Sequence, residues 1–578
     1  MRKHLLGVRY LGPEREAARQ EVCDYVRGGL RRLLADLKNE PVRPELKVGL
    51  LPNGQKPGLD VFGGENSSRT ILSTGAAGED IGFRVRYIDP SSLSLKKGES
   101  YWETVETMQE HGVHVIAGRF GVEGLMLHLA RVLETVNDYQ WVSRELSFIS
   151  CGEGTREHPT QFMLDVMTIV CRRLTIRWKN SETIRILEEV FARGDADDFL
   201  DKIITEALDN LTVAFIGGLH ESRVTHTWIN AGRWFDIKFI FIAPSKPVDF
   251  QVEQWCLDFL GERAQISSDL NDAIKANIAY FIRVQVERLP KHIQEQADEV
   301  RRIIAPYRLS QDFLDNFGGE VMDAKPYDEM TPTIPAELRN HPKVIAKMQS
   351  SMGRYIRQEV IWRCYNNRFH SEATLLNIPP VEFVPGQNII KTMKLANKHA
   401  ELETRYAADT EAVSMILRNG VVINAVRPEL VGVVRTINDQ FGWSKGHRRL
   451  IGEEFRSETL GTKGELWYPN LRVLPQLAGI WILVSPEIRL SLAYPELEAE
   501  GRDGYLKICP SLPRAVDEIF KCPNIHCITN SETEPLAKTF FWVNGQAGST
   551  VWLECAFCQH QYHAERVVRH TFGSLIGF

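Results

Sequence analysis

The chain has 578 residues, 43% hydrophobic and 25% charged. That is an ordinary globular mixture, and it excludes a mostly disordered, collagen-like or coiled-coil polypeptide. At roughly 100–200 residues per domain, about three to five domains are expected. With 69 Lys and Arg against 75 Asp and Glu, the net charge of −6 gives no general attraction to nucleic acid or an anionic membrane. Any anion site must therefore be a local cluster. The longest apolar runs, Leu211–Gly218 and Leu477–Ser485, fall far short of the roughly 18–20 residues that span a bilayer. The start, Met1-Arg2-Lys3-His4-Leu5-Leu6-Gly7, is basic but has no apolar stretch or small-residue cleavage site, so no signal peptide is read and a cytoplasmic location is expected.

Residues 14–38 have helical apolar spacing, and Leu46–Leu51 is a strand candidate. A helix is expected from Arg69 to about Glu79, a strand over Phe83–Ile88, an amphipathic helix over Tyr101–His111 and a strand over Val113–Ala117. His158-Pro159-Thr160-Gln161 opens another helix, with Pro159 suited to its first turn. Strands follow at Leu211–Gly217, Ile237–Ile242 and Ala279–Val284, with a helix after the first of these. Such alternation argues for parallel α/β sheets. His341 to about Cys364 reads as a long helix with Pro342 in its first turn. A broken, Pro-rich stretch follows, and 366–411 is read as a linker, with a helix at Ile389–Tyr406 leading out of it. From about Ala412 the pattern turns to short β-rich segments, including Val421–Ile423, Ile480–Val484 and Ile488–Leu492.

Six of the ten cysteines are scattered and read as buried reduced thiols. Cys522, Cys527, Cys555 and Cys558 form a Cys-x4-Cys pair, then 27 residues, then a Cys-x2-Cys pair. Two tight loops that each aim two sulfurs at one point suit tetrahedral zinc, and four protein sulfurs leave no open position, so the metal is structural. His526, His560 and His563 are redundant as ligands. A tail this short would need the metal to stay folded.

Anion-handling residues recur after the expected strands. Ser67-Ser68-Arg69-Thr70 places hydroxyls and an arginine at a helix start, a phosphate cradle. A basic loop, Ser91–Ser100, precedes the next helix, and Arg119 follows a strand. His158 and Gln161 sit at a helix start, and Arg223 and the Arg283–Arg288 stretch close two further strands. Polar groups beyond the carboxyl ends of parallel strands are where open α/β sheets bind ligands.

These residues carry a resemblance. In order, Ser67-Ser68-Arg69-Thr70, Lys97-Gly98-Glu99-Ser100, Arg119, His158-Pro159-Thr160-Gln161, Arg223-Val224-Thr225-His226 and Arg283-Val284-Gln285-x-Glu287-Arg288 resemble the catalytic chain of aspartate carbamoyltransferase across the first 365 residues. From about 412 to 578, Ile416–Ile423, Pro510-Ser511-Leu512-Pro513 and the four cysteines resemble the regulatory chain of the same enzyme. The resemblance implies a catalytic–regulatory fusion. Its catalytic half would be two doubly wound parallel-sheet α/β domains, followed by an α+β regulatory-like domain and a small zinc-bound β domain. The expected limits are 1–150 for carbamoyl-phosphate binding, completed by helix 341–365, 151–340 for aspartate binding, 412–513 for the regulatory-like domain and 514–578 for zinc.

The implied reaction moves a carbamoyl group from carbamoyl phosphate to the amine of L-aspartate, a step of pyrimidine biosynthesis. Two substrates bringing about four negative charges into one cleft would repel strongly without matching cations. By the resemblance, Ser67, Ser68, Arg69, Thr70 and Arg119 hold the phosphate. Arg69, Thr70 and His158 face the carbamoyl oxygen, and Gln161 positions the carbamoyl amide. Arg223, Arg283, Gln285 and Lys97 grip the aspartate carboxylates. Lys97, on a mobile loop reaching a neighbour, implies a homo-oligomer built on catalytic trimers with shared sites. The chain departs from the family at Asn66, Ser68 and Ile71, and at Asp323-Ala324-Lys325-Pro326-Tyr327, where the family has His-Pro-Leu-Pro-Arg. In the regulatory half, Asn424-Ala425 and Trp467, near Lys463, replace nucleotide-pocket positions, so weak or absent control by nucleotide triphosphates is expected. Two alternatives stay open: an assembly protein that keeps the fold and zinc domain but catalyses weakly, and carbamoyl transfer to another amino-acid acceptor such as ornithine.

Overall fold

The computed structural model describes residues 3–12, 14–40, 44–65, 67–135, 145–177, 180–246, 250–289, 291–327, 332–370, 389–393, 397, 420–440, 450–457, 461–469, 475–493, 495–501, 503–545 and 550–576. The chain forms two compact units, Met1–Leu376 and Asn377–Phe578.

The first unit holds two parallel sheets. One contains β1 (Gly58–Gly63), β2 (Arg84–Ile88), β3 (Val113–Phe120) and β4 (Ser147–Glu153), in the order β2-β1-β3-β4. The other contains β5 (Thr212–Gly217), β6 (Lys238–Ile242), β7 (Ala264–Ser267), β8 (Ile278–Ile282) and β9 (Glu320–Asp323), in the order β7-β6-β5-β8-β9. The runs Thr-Val-Ala-Phe-Ile-Gly and Ile-Ala-Tyr-Phe-Ile are almost wholly buried, as strands covered on both faces must be. Side-chain alternation divides β5 between two cores. Val213 and Phe215 join the large core that continues through the first sheet, and Ala214 and Ile216 join a smaller one with Phe281 and Phe313.

Local chemistry sets the helix starts. Ser100 caps the helix Tyr101–Glu110 by accepting from the Glu103 N–H at 3.1 Å, while Glu103 Oε2 accepts from the Ser100 N–H at 2.8 Å. Pro159 occupies the first turn of Pro159–Arg173, where its missing N–H costs nothing. The long helix Ala346–Asn366 packs against Arg15–Leu37, Ser68–Asp80 and Pro159–Arg173, so it braces both sheets.

The second unit is antiparallel throughout. Its six-stranded sheet contains β10 (Ile389–Met393), β11 (Gly420–Val426), β12 (Leu450–Ser457), β13 (Gly461–Pro469), β14 (Arg489–Ala493) and β15 (Tyr505–Ile508), ordered β10-β15-β14-β11-β13-β12. A four-stranded sheet follows: β16 (Ala515–Asp517), β17 (Phe540–Asn544), β18 (Trp552–Cys555) and β19 (Gln561–His563). The helices Val431–Gln440, Pro475–Val484 and Ala564–Ile576 pack within this unit. The architecture is thus an α/β half with parallel sheets, an α+β domain and a small β domain that carries the four cysteines.

Four sequence expectations are corrected. Leu46–Leu51 is not a strand: a short 3₁₀ turn ends at Leu46, Leu50 is exposed, and the sheet uses β1 instead. The helix expected from His341 begins at Ala346, because Val344 first makes a parallel bridge to Val321, which leaves Pro342 ahead of the helix. Ile480–Val484 ends a helix rather than forming a strand; a short apolar run alone cannot tell the two apart. Ile389–Met393 is a strand paired with β15 rather than a helix start. Much of the expected linker (371–388, 394–396 and 398–411), the rest of the 389–406 helix except 397, residues 412–419 including Ile416–Asn419, and Asn66 lie outside the described residues, as do the side chains of Lys463 and Trp467. Among the described residues, no helix is long and apolar enough to cross a membrane.

Candidate active site and metal centre

In the first sheet the chain runs from β1 outward to β2 and then returns to β3 on the other side. The second sheet does the same around β5, with β6 and β7 on one side and β8 and β9 on the other. Each reversal opens a crevice at the carboxyl ends, the usual ligand position in such sheets. Glu65 and Ser67–Thr70 follow β1, Arg119 lies near the end of β3, His158 follows β4, Arg223 follows β5, Arg283–Arg288 follow β8, and Asp323 ends β9.

Ser67 is the N-cap of Ser68–Asp80, but its hydroxyl bonds to Thr70 Oγ1 at 3.1 Å instead of capping the helix. The first-turn N–H groups therefore stay available to an anion. Thr70 is buried and Ser68 is exposed. Arg69 reaches toward solvent, yet burial of its guanidinium pulls its pKa down, opposed by the facing Asp323 and Tyr327.

Glu65 is the hub of the crevice. Its carboxylate accepts from Arg119 Nε at 3.3 Å, from Arg223 Nη2, and from Arg288 Nη2 at 2.8 and 3.0 Å. Arg288 also donates to the Gly154 carbonyl at 2.7 Å. One carboxylate among three guanidinia ties the loops of the first sheet to those of the second. Arg223 is only 3% exposed, and its Nη1 has no hydrogen-bond partner. Gly152, at φ +118°, makes room for it, since a Cβ there would sit 2.7 Å from Nη1. An unsatisfied donor on a buried cation is costly unless a ligand completes it.

His158 is buried, its backbone N–H donates to Thr227 Oγ1 at 2.8 Å, and Thr160 Oγ1 lies 3.3 Å from its ring Nδ1. Burial first, then the charges of Arg119 and Arg357, hold it well below the ordinary histidine pKa, so it is neutral at pH 7. Gln161 donates to Asp165 Oδ1 at 2.9 Å. Asp165 also accepts from Gln349 Nε2 at 2.7 Å, Tyr280 OH at 3.1 Å and Trp228 Nε1 at 3.2 Å. Burial pushes the Asp165 carboxyl up to about 7 against these four donors. Gln349 Oε1 in turn accepts from the Asp323 N–H at 3.2 Å, so the network runs from Gln161 to the end of β9.

The structure gathers Arg119, His158 and Arg223 around this crevice, with Gln285 donating to the Glu221 carbonyl beside them at 3.2 Å. Arg283 turns back to the Val284 carbonyl at 3.3 Å and lines a small cavity with Arg301 and Arg308. Lys97 stands exposed on a 3₁₀ turn closed by Gly98 at φ +93°, and it is not drawn into the network. Glu65, Asp165 and the buried Arg357 escaped the sequence reading. Arg357 lies on an unbroken buried stretch of its helix, where a charged residue otherwise reads as a solvated face.

In the second unit the four cysteine sulfurs lie within 4.8 Å of one another, with Cys522–Cys558 at 3.6 Å and Cys527–Cys555 at 3.8 Å. A tetrahedral zinc with sulfur bonds of about 2.3 Å requires sulfur–sulfur edges of about 3.8 Å. Asn530 braces the first loop by donating to the carbonyls of Cys522 and Asn524 at 2.9 and 2.8 Å. Gln559, at φ +64°, closes the second by donating its N–H to the Cys555 carbonyl at 2.8 Å. His563 packs against the Trp552 ring and His560 contacts Tyr562 OH, so the quartet is all cysteine.

Comparison with known proteins fits both halves. Residues 60–170 match the family described as aspartate/ornithine carbamoyltransferase, carbamoyl-P binding domain. Residues 514–568 match the aspartate carbamoyltransferase regulatory chain, metal binding domain. The chain thus carries one segment similar to a carbamoyl-P binding domain and, further on, one similar to a regulatory-chain metal binding domain. Protein PyrBI of Treponema denticola is 26% identical over 380 residues, covering 64% of this chain and 64% of that protein. The aspartate carbamoyltransferase catalytic subunit of Thermococcus kodakarensis is 26% identical over 257 residues, covering 44% of this chain and 66% of that protein. The chain thus spans just under two thirds of the length of these relatives. Among solved structures, the catalytic subunit of M. jannaschii aspartate transcarbamoylase aligns with a TM-score of 0.46 at 19% identity, over 63% of this chain and 99% of that one.

Proposed function

We propose that the protein transfers the carbamoyl group of carbamoyl phosphate to the amine of L-aspartate, giving N-carbamoyl-L-aspartate and phosphate. The observation that carries this reading is the convergence of Arg119, Arg223 and Arg288 beside a neutral His158 at the reversal points of both sheets. In this reading Ser67, Ser68, Arg69, Thr70 and Arg119 hold the phosphoryl group. The amine nitrogen attacks the carbamoyl carbon, the new C–N bond forms, the C–O bond to phosphate breaks, and one amine proton leaves with the phosphate. Because His158 is neutral, it can donate a hydrogen bond to the carbamoyl oxygen as charge builds there, alongside Arg69 and Thr70. Gln161, fixed by Asp165, orients the carbamoyl amide. Arg223, through its unpaired Nη1, grips an aspartate carboxylate, joined by Arg283, Gln285 and a neighbour's Lys97. Most of the rate then comes from orientation and electrostatics.

The cysteine quartet is proposed to hold one structural zinc per chain, which would serve assembly of a homo-oligomer built on catalytic trimers in the cytoplasm. The domain limits 1–150, 151–340, 412–513 and 514–578 are part of the same proposal. Nucleotide control is proposed to be weak: Asn424, in place of the family's usual residue, donates to Ser491 Oγ at 2.8 Å instead of standing free.

The test is calorimetric titration with N-(phosphonacetyl)-L-aspartate, which presents both substrates' anions at once. Tight binding that Arg223→Ala weakens by about 10²-fold or more supports the reading, in line with the loss of a charge-assisted pair. A folded wild-type protein that ignores the ligand refutes it and favours the assembly role.

A further inference from the structure

Gln161 and Asp165 stand one turn apart on the helix Pro159–Arg173, and Asp165 is fully buried. Each oxygen of its carboxylate takes two donors. Oδ1 accepts from Gln161 Nε2 at 2.9 Å and from Gln349 Nε2 at 2.7 Å. Oδ2 accepts from Tyr280 OH at 3.1 Å and from Trp228 Nε1 at 3.2 Å. The Tyr280 hydroxyl has one proton and gives it to Asp165, so toward its other neighbours it is an acceptor. It accepts from Gln349 Nε2 at 2.7 Å and, more weakly, from Gln161 Nε2 at 3.4 Å.

An ionised carboxylate only accepts, and a side-chain amide donates at one end and accepts at the other. The network therefore fixes which way each amide faces. Gln349 is held at both ends, since its Oε1 accepts from the Asp323 N–H at 3.2 Å. Gln161 is held at one end only. Both of its amide hydrogens point inward, and among the described residues nothing donates to its Oε1. Gln161 is half-buried, and this oxygen is left in the first turn of the helix that His158 caps. A group bound against it must bring an N–H or O–H, because an unmet acceptor in a desolvated site is costly.

We infer that Asp165 is a positioning residue that sets the polarity of the Gln161 amide, so that the site selects a donor substrate whose transferred group carries an N–H. A carbamoyl group meets that demand, and an acetyl group of the same shape, with CH3 in place of NH2, does not. The inference rests on the carbamoyltransferase reading above and adds to it the residue that decides which group is transferred.

The Trp228 indole N–H can only donate, which makes the effect of a substitution definite. In Asp165→Asn the amide oxygen stays with Trp228, and the NH2 takes the place of Oδ1. It then faces the Gln161 donors, and Gln161, tied at one end only, turns over and presents its own NH2 to the ligand. Adding Gln161→Glu gives the buried NH2 a carboxylate to bind and returns an acceptor to the ligand side.

The test is calorimetric titration with inorganic phosphate, phosphonoacetamide and 2-oxopropylphosphonate. The two phosphonates share one shape and differ in NH2 against CH3. Burial pushes the Asp165 carboxyl up to about 7, so the titrations are run at about pH 8.5, where it is ionised. Wild type should prefer the amide by about tenfold or more, as a site built to hydrogen-bond an N–H does. Asp165→Asn should bring that preference to within about threefold and leave phosphate binding within about threefold of wild type. The double variant Asp165→Asn with Gln161→Glu should restore the preference, although its charge on the ligand side weakens all three probes. A merely structural role produces no such restoration. Equal binding of the two phosphonates by wild type overturns the inference. So does a folded Asp165→Asn that keeps the preference, or that loses affinity for all three probes alike. Should Asp165→Asn not fold, the double variant decides: preference for the amide supports the inference and equal binding overturns it. A wild-type protein that binds none of the probes sinks the carbamoyltransferase reading itself, so the two failures are distinguishable.

Discussion

Replacing Glu65 by Gln removes one charge and keeps the shape. The carboxylate accepts from three guanidinia, those of Arg119, Arg223 and Arg288, and is only 20% exposed, so solvent screens it little. A hydrogen bond to a charged group is worth about 1.5–3 kcal/mol, against about 0.5–1.5 for a neutral one. Three bonds weakened by about 1–1.5 kcal/mol each cost about 3–4.5 kcal/mol in all. The three guanidinia then repel one another, and the loops of β1 and β3 part from those of β5 and β8. At about 1.4 kcal/mol per decade, kcat/KM should fall about 10²–10³-fold. Because Arg223 and Arg288 lie on the side proposed for aspartate, KM for aspartate should rise more than the dissociation constant for carbamoyl phosphate. Carbamoylaspartate formation over a matrix of both substrates, with circular dichroism and melting as fold controls, measures this. A folded Glu65→Gln variant with kcat/KM within threefold of wild type would refute the argument that this carboxylate organises the site.

Three other outcomes follow from the geometry. His158→Ala should lower kcat about 10²–10³-fold while leaving carbamoyl-phosphate affinity within a few-fold, as loss of a donor to a developing oxyanion does; rapid-mix kinetics with equilibrium binding separates the two effects. His226 donates to the Thr155 carbonyl at 2.6 Å and to Glu253 Oε2 at 2.9 Å, and although burial opposes its charge, Glu253 raises it to about 9. A folded value above the unfolded one, near 6.5, contributes stability that is complete below about pH 6.5 and is lost as pH rises through about 9, on the order of 3 kcal/mol. Melting of wild type should therefore drop between pH 6.5 and 9.5 by more than melting of His226→Gln, and parallel curves would contradict the assignment. Metal analysis should find one zinc per chain, and a chelator should disperse the larger oligomer in sedimentation while leaving trimers active; an oligomer that survives complete metal loss would contradict the assembly role.

Much of this arrangement was legible before any coordinates, for identifiable reasons. Parallel strands buried on both faces read as continuous apolar runs, so β5, β6 and β8 stand out. Four cysteines on two short loops declare their common centre by spacing alone. The runs that misled were short or mixed. β1 contains Asp60, a buried carboxylate whose cost is met by a bidentate pair with Arg86 at 2.7 Å, a partner 26 residues away. The helix ending at Val484 is too apolar to show a period, and Ile389–Met393 becomes a strand only because β15 offers it an edge. The same limit hid the hub of the site. Glu65, Asp165 and Arg357 are charged residues that sequence reasoning sends to the surface, and only their partners from distant loops show that they are buried.

The most direct measurement is product formation from carbamoyl phosphate with aspartate and ornithine as parallel acceptors, using zinc-loaded protein. The account predicts carbamoylaspartate as the product, turnover abolished by Arg69→Ala, and little or no citrulline. A folded, zinc-loaded protein that makes neither product, or that prefers ornithine, would contradict it.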